Sequence, residues 1–335
     1  MKIVSIILFF SIIILYSCNE KAQEPSLADS QLKDSLVIEE QETIRFDPDK
    51  IEIEKALLYN EHTLEDTYPY KDTVRVFQWD KIRKRLALLD SIESVPASWA
   101  ILQNYKNKNG EAPLVKSYRR DSYKRISDTL GVERYQSVPL FLPTDSVVAE
   151  IYGRDGSLVK LIKNDSNRLV KIATIDMVGE WLVPKKYIKP VNDTIVFKKA
   201  IFVDLTNQNI ATMEKDGDKW LVRSMNPATT GLHKPPHMQE TPQGIFVVQE
   251  KKSKMVYLVD GSQETGGFAP YASRFSNGGY IHGVPVNAPG TNLIEFSPSL
   301  GTTPRSHMCV RNATSHAKFI YDWAPTEQTI VFIFD

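Results

Sequence analysis

From Val138 to the C-terminus the chain is written mostly as short apolar runs between turn signals, which limits it to a β-dominated fold. Val138–Leu142, Val147–Tyr152, Ser157–Lys163, Leu169–Ile175 and Trp181–Tyr187 each suit one strand. Arg154-Asp155-Gly156 and Asn164-Asp165-Ser166-Asn167 read as turns between them. Five such strands in close succession predict a small barrel. Further on, Ala200–Leu205 reads as a buried strand, and Ile210–Glu214 and Trp220–Met225 flank a hairpin signal, Lys215-Asp216-Gly217-Asp218. Ile245–Gln249 and Lys254–Asp260 read as a second strand pair, and Thr329–Phe334 as a final strand. Helix is predicted upstream, where Ile82, Leu86, Leu89 and Ile92 fall on one face. Ser94-Val95-Pro96 breaks it.

The N-terminus reads as an address. Met1 and Lys2 precede an apolar run from Ile3 to Leu15, too short for a comfortable membrane span and suited to a secretory signal. The run ends in Leu15-Tyr16-Ser17-Cys18, which resembles a bacterial lipobox. An ordinary signal peptide that ends near a cysteine is the alternative. The resemblance implies removal of residues 1–17 and lipidation of Cys18, where two acyl chains would give stable anchoring. Asn19 follows in place of an aspartate, which favours the outer membrane. The chain is then expected in a bacterial envelope, lipid-anchored and facing the periplasm. Residues 18–50, rich in Glu, Asp, Gln, Ser and Lys, are read as a disordered tether.

Composition narrows the function classes. The chain has 41 Lys+Arg against 41 Asp+Glu, so nothing draws it to nucleic acid. The basic stretch Lys116-Ser117-Tyr118-Arg119-Arg120 reads as a solvated helix face, with sugar or phosphate binding as the competing reading. Cys18 and Cys309 are the only cysteines, which excludes a disulfide scaffold and an all-cysteine metal site. With Cys18 lipidated, Cys309 is the one free thiol. His233 and His237 have a ligand-like spacing, but Pro235 and Pro236 between them argue against a helix and for loop residues. No metal or other cofactor is expected.

Cys309 stands in Ser306-His307-Met308-Cys309-Val310-Arg311-Asn312, with His282 upstream in Gly279-Tyr280-Ile281-His282-Gly283. A cysteine nucleophile acts as thiolate and needs a base beside it, and histidine suits that task near neutral pH. Asn312 is a candidate cap for a helix through Ala317, Ile320 and Tyr321, which would set Cys309 just before a helix N-terminus. A small buried hydrophobe is the alternative for Cys309.

The flanks carry a family resemblance. Phe202-Val203-Asp204-Leu205 with Gln208, then Thr230-Gly231, then Thr241-Pro242-Gln243-Gly244-Ile245-Phe246, occur in order. Pro270-Tyr271, Phe275 and Gly278-Gly279-Tyr280-Ile281-His282-Gly283 follow, and Ser306-His307-Met308-Cys309 closes the series. Together these resemble the YkuD-type L,D-transpeptidase catalytic domain over residues 197–335. The resemblance implies Cys309 as nucleophile and His282 as general base, its ring held by the Gly283 carbonyl. It places His307 on the substrate and oxyanion side, with Ser306 in support. Arg311 is a candidate for a substrate carboxylate or for a structural salt bridge. Tyr271 and Tyr280 are candidates for the cleft wall or the core.

The implied substrate is the tetrapeptide stem of peptidoglycan, with terminal D-alanine released and a 3→3 cross-link or another amide formed. A carboxypeptidase on the same thiol and a non-catalytic peptidoglycan-binding fold are the alternatives. Two departures stand out. Met308 replaces the usual glycine, where it is expected to narrow the cleft or alter the oxyanion geometry. The 23 residues between His282 and Ser306, with Pro285, Pro289-Gly290 and Pro298, read as a flap over the site. Gly179-Glu180-Trp181-Leu182-Val183-Pro184 and Tyr187 resemble the end of an SH3-like domain. The expected fold is therefore mainly β. A transpeptidase-type β-sandwich follows an SH3-like barrel over 135–192 and a partly helical region over 51–134. The oligomeric state is left open.

Overall fold

In a computed structural model of the chain, the described residues are 46–94, 96–105, 119–120, 126–127, 137–147, 149–163, 168–175, 179–191, 196–234 and 237–335. The leader, Cys18, nearly all of the tether and Lys116-Ser117-Tyr118 lie outside them, as does the turn 164–167. Thr43–Asp335 cluster into one compact unit. Among the described residues, no helix is long and apolar enough to cross a membrane.

The fold is mainly β. Its centre is a six-stranded sheet in the order Glu52–Lys55, Lys219–Pro227, Asn209–Asp216, Lys199–Asp204, Thr329–Phe334, Gly244–Val247. Lys199–Asp204 and Thr329–Phe334 run parallel at its middle. Both are apolar at nearly every position because both faces of the sheet are covered. The side chains alternate across the pleat. Ala200, Phe202, Ile330, Phe332 and Phe334 pack on one face with Trp220 and with Ile82, Leu86 and Leu89 of helix α1 (Trp79–Ser94). Ile201, Val203, Val331 and Ile333 pack on the other, with Phe275, Ile281 and Val310 of a second sheet and Ile320 of helix α2 (Thr314–Trp323).

That second sheet runs Glu250–Leu258, Thr265–Ser276, Gly279–His282, Val310–Arg311, with Val286–Asn287 paired to Thr265–Ser276. Two sheets with a shared apolar layer make a sandwich. A third sheet holds Glu180–Pro184, Leu169–Thr174, Leu158–Lys163, Ser98–Leu102 and Ile188–Pro190, around its own core of Leu140, Val159, Ile172, Trp181 and Tyr187. Ser98–Leu102, from well upstream, is thus an inner strand of this sheet.

Two expectations about local structure are corrected. Ile245–Gln249 and Lys254–Asp260 do not pair with each other. Gly244–Val247 pairs with Thr329–Phe334, and Glu250–Leu258 pairs with Thr265–Ser276 in the other sheet. Only Val248 and Gln249 separate them, so the chain steps from sheet to sheet instead of turning back. Asn312 does not cap α2: the N-cap is Ala313, with no side-chain cap bond. Asn312 Oδ1 instead meets His316 Nδ1 at 3.1 Å.

Candidate active site

Strand register sets Cys309 and His282 on the same face of the sheet. Gly279–His282 and Val310–Arg311 are parallel neighbours, with Ile281 opposite Val310 and His282 opposite Arg311. Side chains alternate along each strand. Ile281 and Val310 therefore turn into the core between the sheets. Tyr280, His282, Cys309 and Arg311 turn the other way and line a cavity of about 770 Å³. Cys309 precedes a strand, and α2 begins five residues later at Thr314, so the helix terminus does not act on the thiol directly.

The ring of His282 is fixed by its neighbour. Its Nδ1 lies 2.6 Å from the Gly283 carbonyl oxygen. A carbonyl can only accept, so Nδ1 carries the proton and Nε2 keeps its lone pair. Burial pushes the His282 pKa down to about 4, opposed by the Gly283 hydrogen bond and aided by the Arg311 charge. The imidazole is thus neutral at pH 7 and able to accept a proton. Gly283 is held by its N–H bond to the Pro270 carbonyl at 2.9 Å. A Cβ on it would stand 2.8 Å from Thr314 Oγ1 and 2.9 Å from Pro270 Cγ.

The turn carrying the thiol is bound on several sides. Ser306, buried, donates its hydroxyl to the Cys309 carbonyl. Thr241 Oγ1 donates to the Met308 carbonyl at 2.7 Å and accepts from the Gly231 N–H at 2.8 Å. Arg311 and Thr229 exchange backbone hydrogen bonds of 2.8 and 2.9 Å. Cys309 Sγ donates to the Gly278 carbonyl at 3.5 Å.

Met308 has φ +107° and is buried. This conformation normally belongs to glycine. Its side chain is not among the groups that line the cavity.

His307 sits at the rim, half exposed, with Nε2 2.9 Å from Asp260 Oδ2. Arg311 lines the cavity. Burial lowers its pKa and the neighbouring Cys309 and Tyr257 raise it; none of the groups that shift it is a carboxylate. Tyr280 lines the cavity too, its phenol pushed up by burial and then by Tyr105 and Glu250. Tyr271 does not line it. It has φ +51° and meets Tyr321 edge to face at 5.9 Å between ring centres.

From the segment between His282 and Ser306, Val284, Pro285, Asn287, Ile294, Phe296 and Pro298 are in the cavity wall, as a flap would place them. His233 pairs with Glu240 at 2.5 Å.

Three further groups at the site had no sequence signal of their own. Tyr105 and Lys252 line the cavity, and Asp155 anchors the turn behind the thiol. Asp155 stands in a run read as an ordinary turn. Tyr105 reaches the site from a different sheet's flank, which no local pattern encodes.

No curated protein sequence matches the chain. Among solved structures, a fused Zn-dependent amidase/peptidase/peptidoglycan-binding domain-containing protein from Clostridium acetobutylicum aligns at 23% identity and a TM-score of 0.30, over 41% of this chain and 52% of that one. The chain therefore spans about half the length of that protein. An L,D-transpeptidase from Mycobacterium smegmatis aligns at 16% identity and a TM-score of 0.34, over 53% and 82%. One from Mycobacterium tuberculosis aligns at 14% and 0.31, over 54% and 73%. Residues 198–333, which carry Cys309, His282 and most of the cavity wall, match the family model of the YkuD L,D-transpeptidase catalytic domain.

Proposed function

We propose that this chain is an L,D-transpeptidase that acts on the tetrapeptide stems of peptidoglycan through a thioester on Cys309. The observation that carries the reading is that Cys309 and a neutral, oriented His282, from neighbouring strand segments, line one cavity. His282 Nε2 takes the thiol proton, and the thiolate attacks the carbonyl that links the diamino acid to the terminal D-alanine. The C–N bond breaks, and the D-alanine amine leaves with the proton held by His282. A thioester remains. The amine of a second stem attacks it, His282 takes the amine proton, and the returning thiolate recovers it. One peptide bond is broken and one formed, so no external energy source is required. Arg311, charged and beside the thiol, is suited to a substrate carboxylate. His307 is placed to border the entering chain.

The same reading extends to the ends of the chain. Lipid on Cys18 and a tether that ends before the 3-10 turn Pro48–Lys50 would hold the enzyme at the envelope membrane, facing the periplasm. The third sheet, with Ser98–Leu102 as an inner strand, would serve as a module toward the wall polymer. Cys18→Ser should release the protein from the membrane fraction with Cys309 still reactive. Retention of that variant at the membrane would remove the anchor.

The test of the reaction is mass spectrometry of purified protein with disaccharide-tetrapeptides. The expected products are free D-alanine and a 3→3 cross-linked dimer, both abolished by Cys309→Ala. Release of D-alanine with tripeptide only would assign a carboxypeptidase, and no turnover with wild-type protein would overturn the reading.

A further inference from the structure

The turn Arg154-Asp155-Gly156, which lies outside residues 198–333, reaches the back of the thiol site. Asp155 is fully buried. Its Oδ1 accepts the Asn104 backbone N–H at 3.0 Å. Its Oδ2 accepts from Arg274 Nη1 at 2.6 Å, from Gln249 Nε2 at 3.1 Å and from the Asn277 backbone N–H at 2.9 Å. Burying a carboxylate is costly unless it is paired and hydrogen-bonded, and here every contact serves that end. Gly156 has φ +90°, and a Cβ on it would stand 1.9 Å from the Phe275 carbonyl oxygen. Glycine is what lets the turn come this close.

Asn277 and Gly278 form the turn between Thr265–Ser276 and Gly279–His282. Asn277 is buried and has φ +45°. The carbonyl of the following residue, Gly278, accepts from Cys309 Sγ. A continuous path thus runs from the Asp155 carboxylate through the Asn277–Gly278 peptide to the sulfur. Arg274, the charge partner of Asp155, also lies against the ring of Tyr105 at 4.9 Å, and Tyr105 lines the cavity.

We propose that Asp155 is a positioning residue for the nucleophile: by holding the Asn277 amide it sets the Gly278 carbonyl, and through it the place of the Cys309 thiol. The inference rests on Cys309 being the reactive thiol. A turn from another sheet thereby tunes the reacting atom without touching substrate.

The test uses the full chain with Asp155→Asn, Asp155→Glu and the double variant Asp155→Asn/Arg274→Gln, which leaves no unpaired buried charge. Three readouts are taken: the pH dependence of Cys309 alkylation by iodoacetamide, kcat and KM on the stem peptide, and the melting temperature. A displaced sulfur should lower kcat by about tenfold or more with KM within about twofold of wild type. The alkylation profile should move by about one pH unit, as the sulfur changes its charged surroundings. Asp155→Glu should recover part of both effects, and the double variant should behave like Asp155→Asn. A lower melting temperature with an unchanged alkylation profile and kcat, in either variant that folds, would overturn the proposal. Alkylation needs no substrate, so it decides the role of Asp155 even if wild-type protein fails to turn over stem peptides.

Discussion

Met308 holds a conformation that an L side chain adopts only under constraint, and the constraint is visible: its carbonyl is bonded to Thr241 and the turn is closed by Ser306. Such strain costs on the order of 1–3 kcal/mol. Deleting a buried methionine side chain costs about 2–5 kcal/mol. Both Met308→Ala and Met308→Gly should therefore be less stable than wild type. Glycine should be the better of the two by about 1 kcal/mol, since it alone also relieves the backbone. Urea denaturation of the pair checks the order, and a more stable alanine variant would refute the strain. His282 yields a pH prediction. Its folded pKa, about 4, lies below the ordinary histidine value, so the unfolded chain binds more protons between about pH 6.5 and 4. Stability contributed by neutral His282 is full above that window and is lost as pH falls through it, by ~3 kcal/mol. Buried His316, lowered to about 3, adds a loss of the same sign. Denaturation curves should show the decline, and His282→Gln should flatten it. The thiol and the histidine that line the cavity were legible because such side chains have few equivalents. The positive φ of Met308 was not, because it is set by partners far off in sequence.

At the scale of elements, the thiol turn depends on the close approach of the strand-end segment Thr229–Gly231. A Cβ on Gly231 would stand 2.4 Å from the Gln239 carbonyl oxygen, 2.7 Å from the Thr241 nitrogen and 2.8 Å from the Met308 Cα. All three are backbone atoms, so no rotamer change relieves the contact. Gly231→Ala should cost about 1–3 kcal/mol and slow Cys309 alkylation, because the Thr241 bridge to Met308 must shift. An alanine variant with wild-type melting and alkylation would contradict the account of the turn. Local pattern was enough to find some of the strands: Thr329–Phe334 and the hairpin of Asn209–Asp216 with Lys219–Pro227 follow their apolar runs, whereas Thr265–Ser276 and Ser98–Leu102 went unread. It was not enough to assign Gly244–Val247 and Glu250–Leu258 to different sheets. Alternation says that a segment is extended, whereas the choice of sheet is decided by long-range packing, here Phe246 against Phe275 at 5.7 Å.

Over the whole molecule, the central sheet is completed from both ends of the chain. Glu52–Lys55 adds a parallel edge strand beside Lys219–Pro227, and α1 covers the face bearing Phe202, Trp220 and Phe332. Burial of Ile82, Leu86 and Leu89 alone stabilises by about 1.5–3 kcal/mol per side chain. A fragment of residues 197–335 should therefore aggregate or melt well below a 43–335 protein in calorimetry, and equal melting would contradict a shared core. Motif order pointed to the transpeptidase-like part of the molecule. The contribution of upstream residues to its core and cavity was not legible, since contacts such as Tyr105 with Arg274 join distant segments that no periodicity links. The most direct test of the central claim is intact-mass and peptide-mapping spectrometry of the protein after incubation with a carbapenem, with and without Cys309→Ala. The account predicts one covalent adduct, mapped to Cys309 and absent from the variant. An unmodified Cys309, or an adduct that persists in the variant, would contradict it.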